Sequence, residues 1–189
     1  MTKKITPQLI DAVFNRATLL ITDEEIMSAT KKMAADITQT LADKNPILLT
    51  VMNGGMMFAS ELAKRLTFPL QMDYLHATRY IGTSGGENLH WKRLPALDLN
   101  QRVVLIVDDL LDGGVTLTGI IDFCKTQKAE AAYTAVMLDK KVKRLPGTIE
   151  TADFSGLPVG DEYVFGFGLD YYNYLRNVPG IYAVHEEDR

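Results

Sequence analysis

The order of apolar and polar positions divides the chain into a short run of helices followed by alternating strands and helices. In the first 45 residues, apolar positions recur at helical spacing, which predicts two helices. The first begins at Pro7 behind an N-cap at Thr6. The second begins behind the capping box Thr22–Glu25 and closes before Pro46.

From residue 47 onward, short unbroken apolar runs alternate with helical patterns. The predicted strands cover 47–52, 70–80, 103–107, 129–138 and 162–167, and the predicted helices cover 56–66 and 116–127. Residues 81–95 offer little to bury and are predicted to be a loop. The run Val103–Val107 is typical of a strand buried on both faces of a parallel sheet. The pattern therefore predicts an α/β fold with a doubly wound, mainly parallel sheet.

Length and composition limit the class of protein. The chain has 189 residues, which suits a single domain over 1–189, with a core at about 36–150 and a small hood lobe from about 1–35 and 151–189. Apolar residues make up 47% and charged residues 23%, which excludes a disordered or collagen-like chain. The single cysteine suits a reducing compartment.

Charge and hydropathy narrow the expected partners. The net charge of −4 argues against broad nucleic-acid binding. No apolar run approaches the roughly 20 residues of a membrane-spanning helix, and no secretory signal is evident at the N-terminus. We expect a cytoplasmic protein that binds a small molecule and neither nucleic acid nor membrane.

The most informative segment follows the central predicted strand. Asp108, Asp109 and Asp112 lie at its carboxyl end, where ligands bind in open α/β sheets. The next residues, Gly113–Thr116, combine glycines, a hydroxyl and the start of a helix, which together form an anion site. Carboxylates that bind sugar hydroxyls, next to a loop that binds a phosphate, indicate a ribose 5-phosphate ligand. The alternatives are a plain α/β turn with solvated acids and an acidic Mg²⁺ site of the receiver-domain kind.

Val103–Thr116 resembles the fingerprint of the type I phosphoribosyltransferases: a buried strand, two acids, two apolar residues, Asp, a small residue, Gly, any residue and Thr. Gly113 departs from the pattern, because relatives usually carry a side chain there. The resemblance implies that Asp108 and Asp109 hold the ribose hydroxyls. It also implies a 5′-phosphate site formed by Asp112, Gly113, Gly114, Val115 and Thr116.

Further segments resemble the hypoxanthine–guanine branch of that family. Asn53, Gly54 and Gly55 match its pyrophosphate loop, in which the peptide Met52–Asn53 would be cis, and Arg79 and Tyr80 match its mobile lid. A plain βα turn explains the first segment about equally well. An edge strand with a flexible connector explains the second about equally well.

The remaining two matches concern the purine. Lys140 matches the lysine that donates to the exocyclic oxygen of the base, although a solvated basic turn is the simpler interpretation of 140–144 taken alone. Gly160–Asn177 resembles the C-terminal signature of the branch. The resemblance implies that Tyr163 stacks on the purine, that Val164 supplies main-chain contacts, and that Asp170 holds Mg²⁺ and contributes to the purine site. Arg176 would pair with pyrophosphate.

The resemblance implies purine salvage: a Mg²⁺-dependent reaction of hypoxanthine or guanine with 5-phosphoribosyl 1-pyrophosphate, which gives IMP or GMP and pyrophosphate. Asp112 would be the general base at purine N7, and Asp108, Asp109 and Asp170 the metal ligands. It also implies a homodimer or homotetramer. The rival hypotheses are a nucleotide-sensing regulator that binds RNA, and a transferase specific for xanthine and guanine.

Overall fold

The apolar segments in the middle of the chain form one large sheet with helices on both faces. The computed structural model describes residues 5–81 and 87–189, and the side chains of 79–81 and 87–88 lie outside that description. The helices are α1 (Pro7–Arg16), α2 (Asp23–Leu41), α3 (Met56–Ala63) and α4 (Val115–Thr126). The strands are β1 (Thr18–Ile21), β2 (Ile47–Val51), β3 (Gln71–Ile81), β4 (Glu87–Arg93), β5 (Val103–Leu111), β6 (Ala131–Lys140), β7 (Phe154–Val159), β8 (Val164–Phe165) and β9 (Ile181–Ala183).

The larger sheet has six strands in the order β4-β3-β2-β5-β6-β7. All neighbouring pairs are parallel except β3 and β4. Successive residues of β5 face opposite sides: Leu105 packs with α2 and α3, and Val104 and Ile106 pack with α4. This confirms the predicted doubly wound, mainly parallel sheet and places the carboxyl end of β5 near its middle.

A smaller, three-stranded antiparallel sheet, β1-β9-β8, joins the two ends of the chain. Helix α1 packs on it through Ile10 and Val13, which contact buried Phe165 and Tyr171. The helix and strands of this smaller layer lie within residues 7–21 and 164–183. Helix α2 packs on β6 and β7 of the larger sheet, and β7 extends that sheet to residue 159.

Four strands, β1, β4, β7 and the three-residue β9, lack the pattern that would have predicted them. Strand β1 has one buried residue in four, and β4, within the predicted loop 81–95, has the polar sequence ENLHWKR. Strand β7 contains a glycine and a proline, which are tolerated because it is an edge strand. All four pair with a neighbouring strand. Residues 82–86 of the predicted lid lie outside the described residues.

Several predicted boundaries also differ: α3 ends at Ala63 instead of residue 66, and β6 covers Ala131–Lys140 instead of 129–138. Strand β5 continues through both acids to Leu111, and the last predicted strand shortens to Val164–Phe165. Within residues 5–81 and 87–189, no helix has the length and apolar character that crossing a membrane requires.

Candidate active site

The carboxyl ends of β2 and β5 border a cavity of about 230 Å³, which we call the strand-end cavity. Within the described part of the chain, its lining combines acids, small residues, apolar residues and one arginine. Among the described residues it is lined by Val51, Met52, Gly54, Ala77, Asp108, Asp109, Leu110, Leu111, Asp112, Gly114, Thr116, Leu117 and Arg176. The structure therefore brings together residues from the β2–α3 turn, the β5–α4 turn and the C-terminal segment.

The adjacent acids at the end of β5 are deeply placed. Asp108 is 6% exposed, and its carboxylate accepts the backbone N–H of Asp109 at 2.9 Å. Burial, reinforced by the negative charge of Asp109, raises the pKa of Asp108 well above its ordinary value. Burial also raises the pKa of Asp109, against the opposing effects of its hydrogen bond with Asp108 and the charge of Arg176. Such a pair favours a bound cation or hydroxyl donors.

The predicted phosphate loop turns sharply into α4. Gly114 has φ +86° and is the N-cap of that helix, so this position requires glycine. Asp112, Gly114 and Thr116 line the strand-end cavity. Val115 instead lines a neighbouring cavity of about 690 Å³, and the carbonyl of Gly113 accepts the N–H of Leu145 at 3.1 Å.

The β2–α3 turn lies against the acids. The peptide Met52–Asn53 is cis, as the family resemblance implies. The α-carbon of Gly54 contacts the carboxylate of Asp109 so closely that a Cβ would overlap it. The N–H of Gly55 donates to the carbonyl of Val51 at 3.0 Å, so it is committed inside the protein. Pyrophosphate binding by Asn53, Gly54 and Gly55 stays a prediction. Asn53 lies in the turn but outside the described lining of the cavity.

A second cavity, of about 260 Å³, opens beside the first, and we call it the aromatic cavity. It shares Asp109, Leu110 and Asp112 with the strand-end cavity. The residues that only the aromatic cavity contacts are Lys140, Glu162, Tyr163, Val164, Leu169 and Asp170. The predicted purine residues therefore meet in one place, next to the predicted sugar and phosphate residues.

Lys140 and Tyr163 differ in exposure. The side chain of Lys140 is 12% exposed, and its Nζ lies 3.4 Å from Asp161 Oδ1. Tyr163 is 40% exposed, and its ring centroid lies 5.8 Å from that of the buried Tyr171. Burial and then the charge of Asp170 raise the pKa of Tyr163.

The C-terminal acid and arginine contact each other. Arg176 Nη2 lies 2.6 Å from Asp170 Oδ1, and Asp170 Oδ2 accepts the N–H of Asn173 at 2.7 Å. Asp170 is thus held by contacts within the C-terminal segment, although it shares the lining of the aromatic cavity with Asp109. No cluster of three or more potential ligand side chains is present in the described part of the chain. Of the three predicted metal ligands, Asp108 and Asp109 are adjacent on β5, whereas Asp170 forms an ion pair with Arg176.

The predicted lid residues lie near the carboxyl end of β3. The backbones of Arg79 and Tyr80 pair with Leu89 and Asn88 of β4. Their side chains lie outside the described residues.

Comparison with known proteins decides the family. The family model described as "Phosphoribosyl transferase domain" matches residues 20–171. The chain belongs to the phosphoribosyl transferase family. It is 35% identical over 170 residues to the hypoxanthine-guanine phosphoribosyltransferase of Streptococcus pneumoniae, covering 89% of this chain and 93% of the relative.

Solved structures of phosphoribosyl transferases agree with the fold. A hypoxanthine phosphoribosyltransferase from Staphylococcus aureus superposes with a TM-score of 0.85 at 26% identity, covering 97% of this chain and 98% of the other. A variant hypoxanthine phosphoribosyltransferase from Trypanosoma cruzi, complexed with the product IMP, superposes with a TM-score of 0.80 at 26% identity. That match covers 89% of this chain and 91% of the other.

One residue next to this phosphoribosyl transferase site was not predicted. Arg144 belongs to the basic run 140–144, which taken alone favours a solvated turn. In the structure its side chain is 7% exposed, whereas that of Lys141 is 63% exposed. Both are basic residues after the same strand, so nothing in their spacing distinguishes the buried one.

Proposed function

We propose that this phosphoribosyl transferase acts in purine salvage: it transfers the 5-phosphoribosyl group from 5-phosphoribosyl 1-pyrophosphate to hypoxanthine or guanine and releases pyrophosphate. The observation that carries the proposal is the junction of the two cavities at Asp109, Leu110 and Asp112. An acid-lined and amide-lined cavity suits a sugar phosphate, and an aromatic-lined cavity beside it suits a base. The names of the relatives support the same reaction.

For the sugar, we assign the ribose hydroxyls to Asp108 and Asp109. Displacement at the anomeric carbon passes through an oxocarbenium-like state, so carboxylates nearby favour the developing positive charge. The 5′-phosphate binds at the start of α4, where backbone N–H groups and the Thr116 hydroxyl meet the positive end of the helix dipole. Gly54 and Arg176, which line the same cavity, bind the pyrophosphate.

The residues present fit Mg²⁺. The ion prefers oxygen ligands and is usually bound by one or two carboxylates together with substrate oxygens. Asp108 and Asp109 offer such a pair, and their raised pKa values indicate that a neutralising charge would be favourable there. We assign Asp108 and Asp109 to one Mg²⁺ and Asp170 to a water-mediated contact. When bound, the ion neutralises charge on the leaving pyrophosphate.

For the base, we assign stacking to Tyr163 and main-chain contacts to Val164. Lys140 donates to the exocyclic oxygen of the 6-oxopurine. Asp112 lines both cavities and therefore lies between base and sugar, where a general base for the N7 proton is needed.

A spectrophotometric assay of the purified chain with hypoxanthine, guanine, xanthine and adenine tests this proposal, with and without Mg²⁺. We expect IMP and GMP to form from hypoxanthine and guanine only when Mg²⁺ is present, with no turnover of adenine. Xanthine turnover comparable to that of guanine would favour the xanthine–guanine transferase. Absence of turnover with all four bases would contradict the proposed function.

We also propose that the chain forms a homodimer or homotetramer in the cytoplasm. An exposed apolar surface on α3 and β3 supports assembly: Met56, Met72 and Tyr74 are 42%, 54% and 39% exposed beside a cavity of about 460 Å³. The one cysteine, Cys124, is a buried free thiol, which supports a reducing compartment. Light scattering of the wild type and of Met72→Lys tests assembly, because a charge on this surface should dissociate the oligomer.

A further inference from the structure

The buried side chain of Arg144 contacts the loop that begins the predicted phosphate cradle. Its guanidinium contacts the carbonyl oxygens of Leu111 (3.2 Å), Asp112 (2.8 Å), Lys140 (2.9 Å) and Glu150 (3.2 Å) and the carboxylate of Asp139. A guanidinium has five N–H donors in a planar fork and can bind several acceptors at once; the carbonyls of Leu111, Asp112 and Lys140 share the two hydrogens of Nη1. Arg144 therefore connects the end of β5 with the end of β6.

The residues just after Arg144 hold the next carbonyl of the same loop. The carbonyl of Gly113 accepts the backbone N–H of Leu145 at 3.1 Å and lies 3.0 Å from Thr148 Oγ1, whose one hydrogen is shared with the carbonyl of Leu145 at 2.8 Å. The segment 144–148 thus binds three consecutive carbonyl groups, those of residues 111, 112 and 113. We call this segment the carbonyl clamp.

The orientation of these carbonyls also determines where the N–H groups of the loop point. In a planar trans peptide, the N–H points away from the preceding carbonyl. The cis peptide among the described residues is Met52–Asn53, so the peptides after 111, 112 and 113 are trans. When their carbonyls face the clamp, the N–H groups of Asp112, Gly113 and Gly114 face away from it. Asp112 and Gly114 line the strand-end cavity, whereas Arg144 is absent from its described lining.

We propose that Arg144 is a positioning residue that aims the backbone N–H groups of residues 112–114 at the 5′-phosphate. The proposal rests on the proposed function, because it concerns the phosphate site of that reaction. Gly113 has no side chain to offer a phosphate, so this cradle depends on the orientation of its amides. A cation on the carbonyl side also polarises these peptides and strengthens their N–H donors.

The test compares two ligands that differ only by the phosphate. The competitive inhibition constants of GMP and guanosine are measured for the wild type, Arg144→Met and Lys143→Met. We expect Arg144→Met to raise the inhibition constant of GMP by about 10–100-fold and that of guanosine by less than about 3-fold, because the lost hydrogen bonds orient the N–H groups that bind the phosphate. Lys143→Met removes the same charge from a neighbouring exposed residue and should leave both constants unchanged.

Two further variants keep the test decisive. Arg144→Lys retains the charge but not the fork, so GMP affinity should recover only partly. Thr148→Val removes a single hydroxyl and should fold normally. We expect it to raise the inhibition constant of GMP by about 3–10-fold and to leave that of guanosine unchanged. Equal losses for GMP and guanosine, or no loss in Thr148→Val and Arg144→Met alike, would overturn the proposal. A wild-type chain that binds neither ligand would instead contradict the proposed function.

Discussion

The two halves of the candidate site are built in different ways. The strand-end half follows a regular strand, β5, into the first turn of α4; its Asp108 is buried, and Asp109 and Asp112 are half-buried. The C-terminal half is irregular. The residues with positive φ in its segment 166–175 are Gly166, Phe167, Gly168, Tyr172, Asn173 and Leu175. Its ring, Tyr163, is 40% exposed. The acids proposed to bind the sugar are thus positioned by a strand of the larger sheet. Apart from Lys140 of β6, the residues proposed to bind the base lie on an irregular segment that packs against that sheet.

The largest expected effect lies in the strand-end half. Replacing Asp112 by Asn keeps its shape but removes the carboxylate that accepts the N7 proton. We expect turnover to fall by roughly 10²–10⁴-fold, with substrate affinity largely retained. Steady-state kinetics with hypoxanthine measure both. Near-normal turnover would show that Asp112 is not the general base and that the proton acceptor lies outside the strand-end half.

The contact between the halves is tested at Gly168. It has φ +106°, and a Cβ there would overlap the carbonyl of Gly54 in the β2–α3 turn. Gly168→Ala should therefore lower the free energy of unfolding by about 1–2 kcal/mol from backbone strain, and by a further ~1–3 kcal/mol from overlap. Urea unfolding measures the sum.

Gly147 supplies the matched control. It has φ +81°, but a Cβ would meet nothing within 4 Å. Gly147→Ala should show the backbone strain alone. Equal losses in the two variants would mean that Gly168 and Gly54 do not hold the halves together.

The burial of the acids predicts an unusual pH dependence of stability. Because Asp108 and Asp109 have raised pKa values in the folded state, folding favours their protonated forms. Their contribution to stability is fully present below the unfolded pKa and is lost as pH rises through the folded pKa. At neutral pH, ionisation of this pair therefore opposes folding until a cation neutralises it.

Asp108→Asn removes one of these titrations. In chemical unfolding from pH 4 to 8, the variant should gain stability relative to the wild type as pH rises, and Mg²⁺ should reduce the difference. A difference that does not change with pH would show that the acids are hydrated and that the strand-end half is not desolvated.

The smallest expected effect belongs to the exposed ring of the C-terminal half. Tyr163→Leu should weaken base binding by about 0.5–1.5 kcal/mol, the usual contribution of an aromatic pair beyond area burial. Tyr163→Phe retains the ring and should bind the base like the wild type. The KM values for guanine separate the two, and equal values in all three proteins would argue against stacking.

Residues that act through local geometry could be predicted from the sequence. The capping box at Thr22 forms as predicted, and β5 and α4 flank the predicted acids and glycines. The cis peptide Met52–Asn53 was also indicated by the resemblance. Periodicity, capping and turn chemistry depend on neighbours in the chain, so the fold class and the strand-end half follow from them.

Tertiary contacts decided the rest. Strand β4 orders by pairing with β3, the N–H of Gly55 is committed to Val51, and Asp170 pairs with Arg176. Arg144 is buried among carbonyls that come from distant parts of the chain. Hydrogen-bond partners and burial depend on what packs against a residue, and only the folded chain determines that.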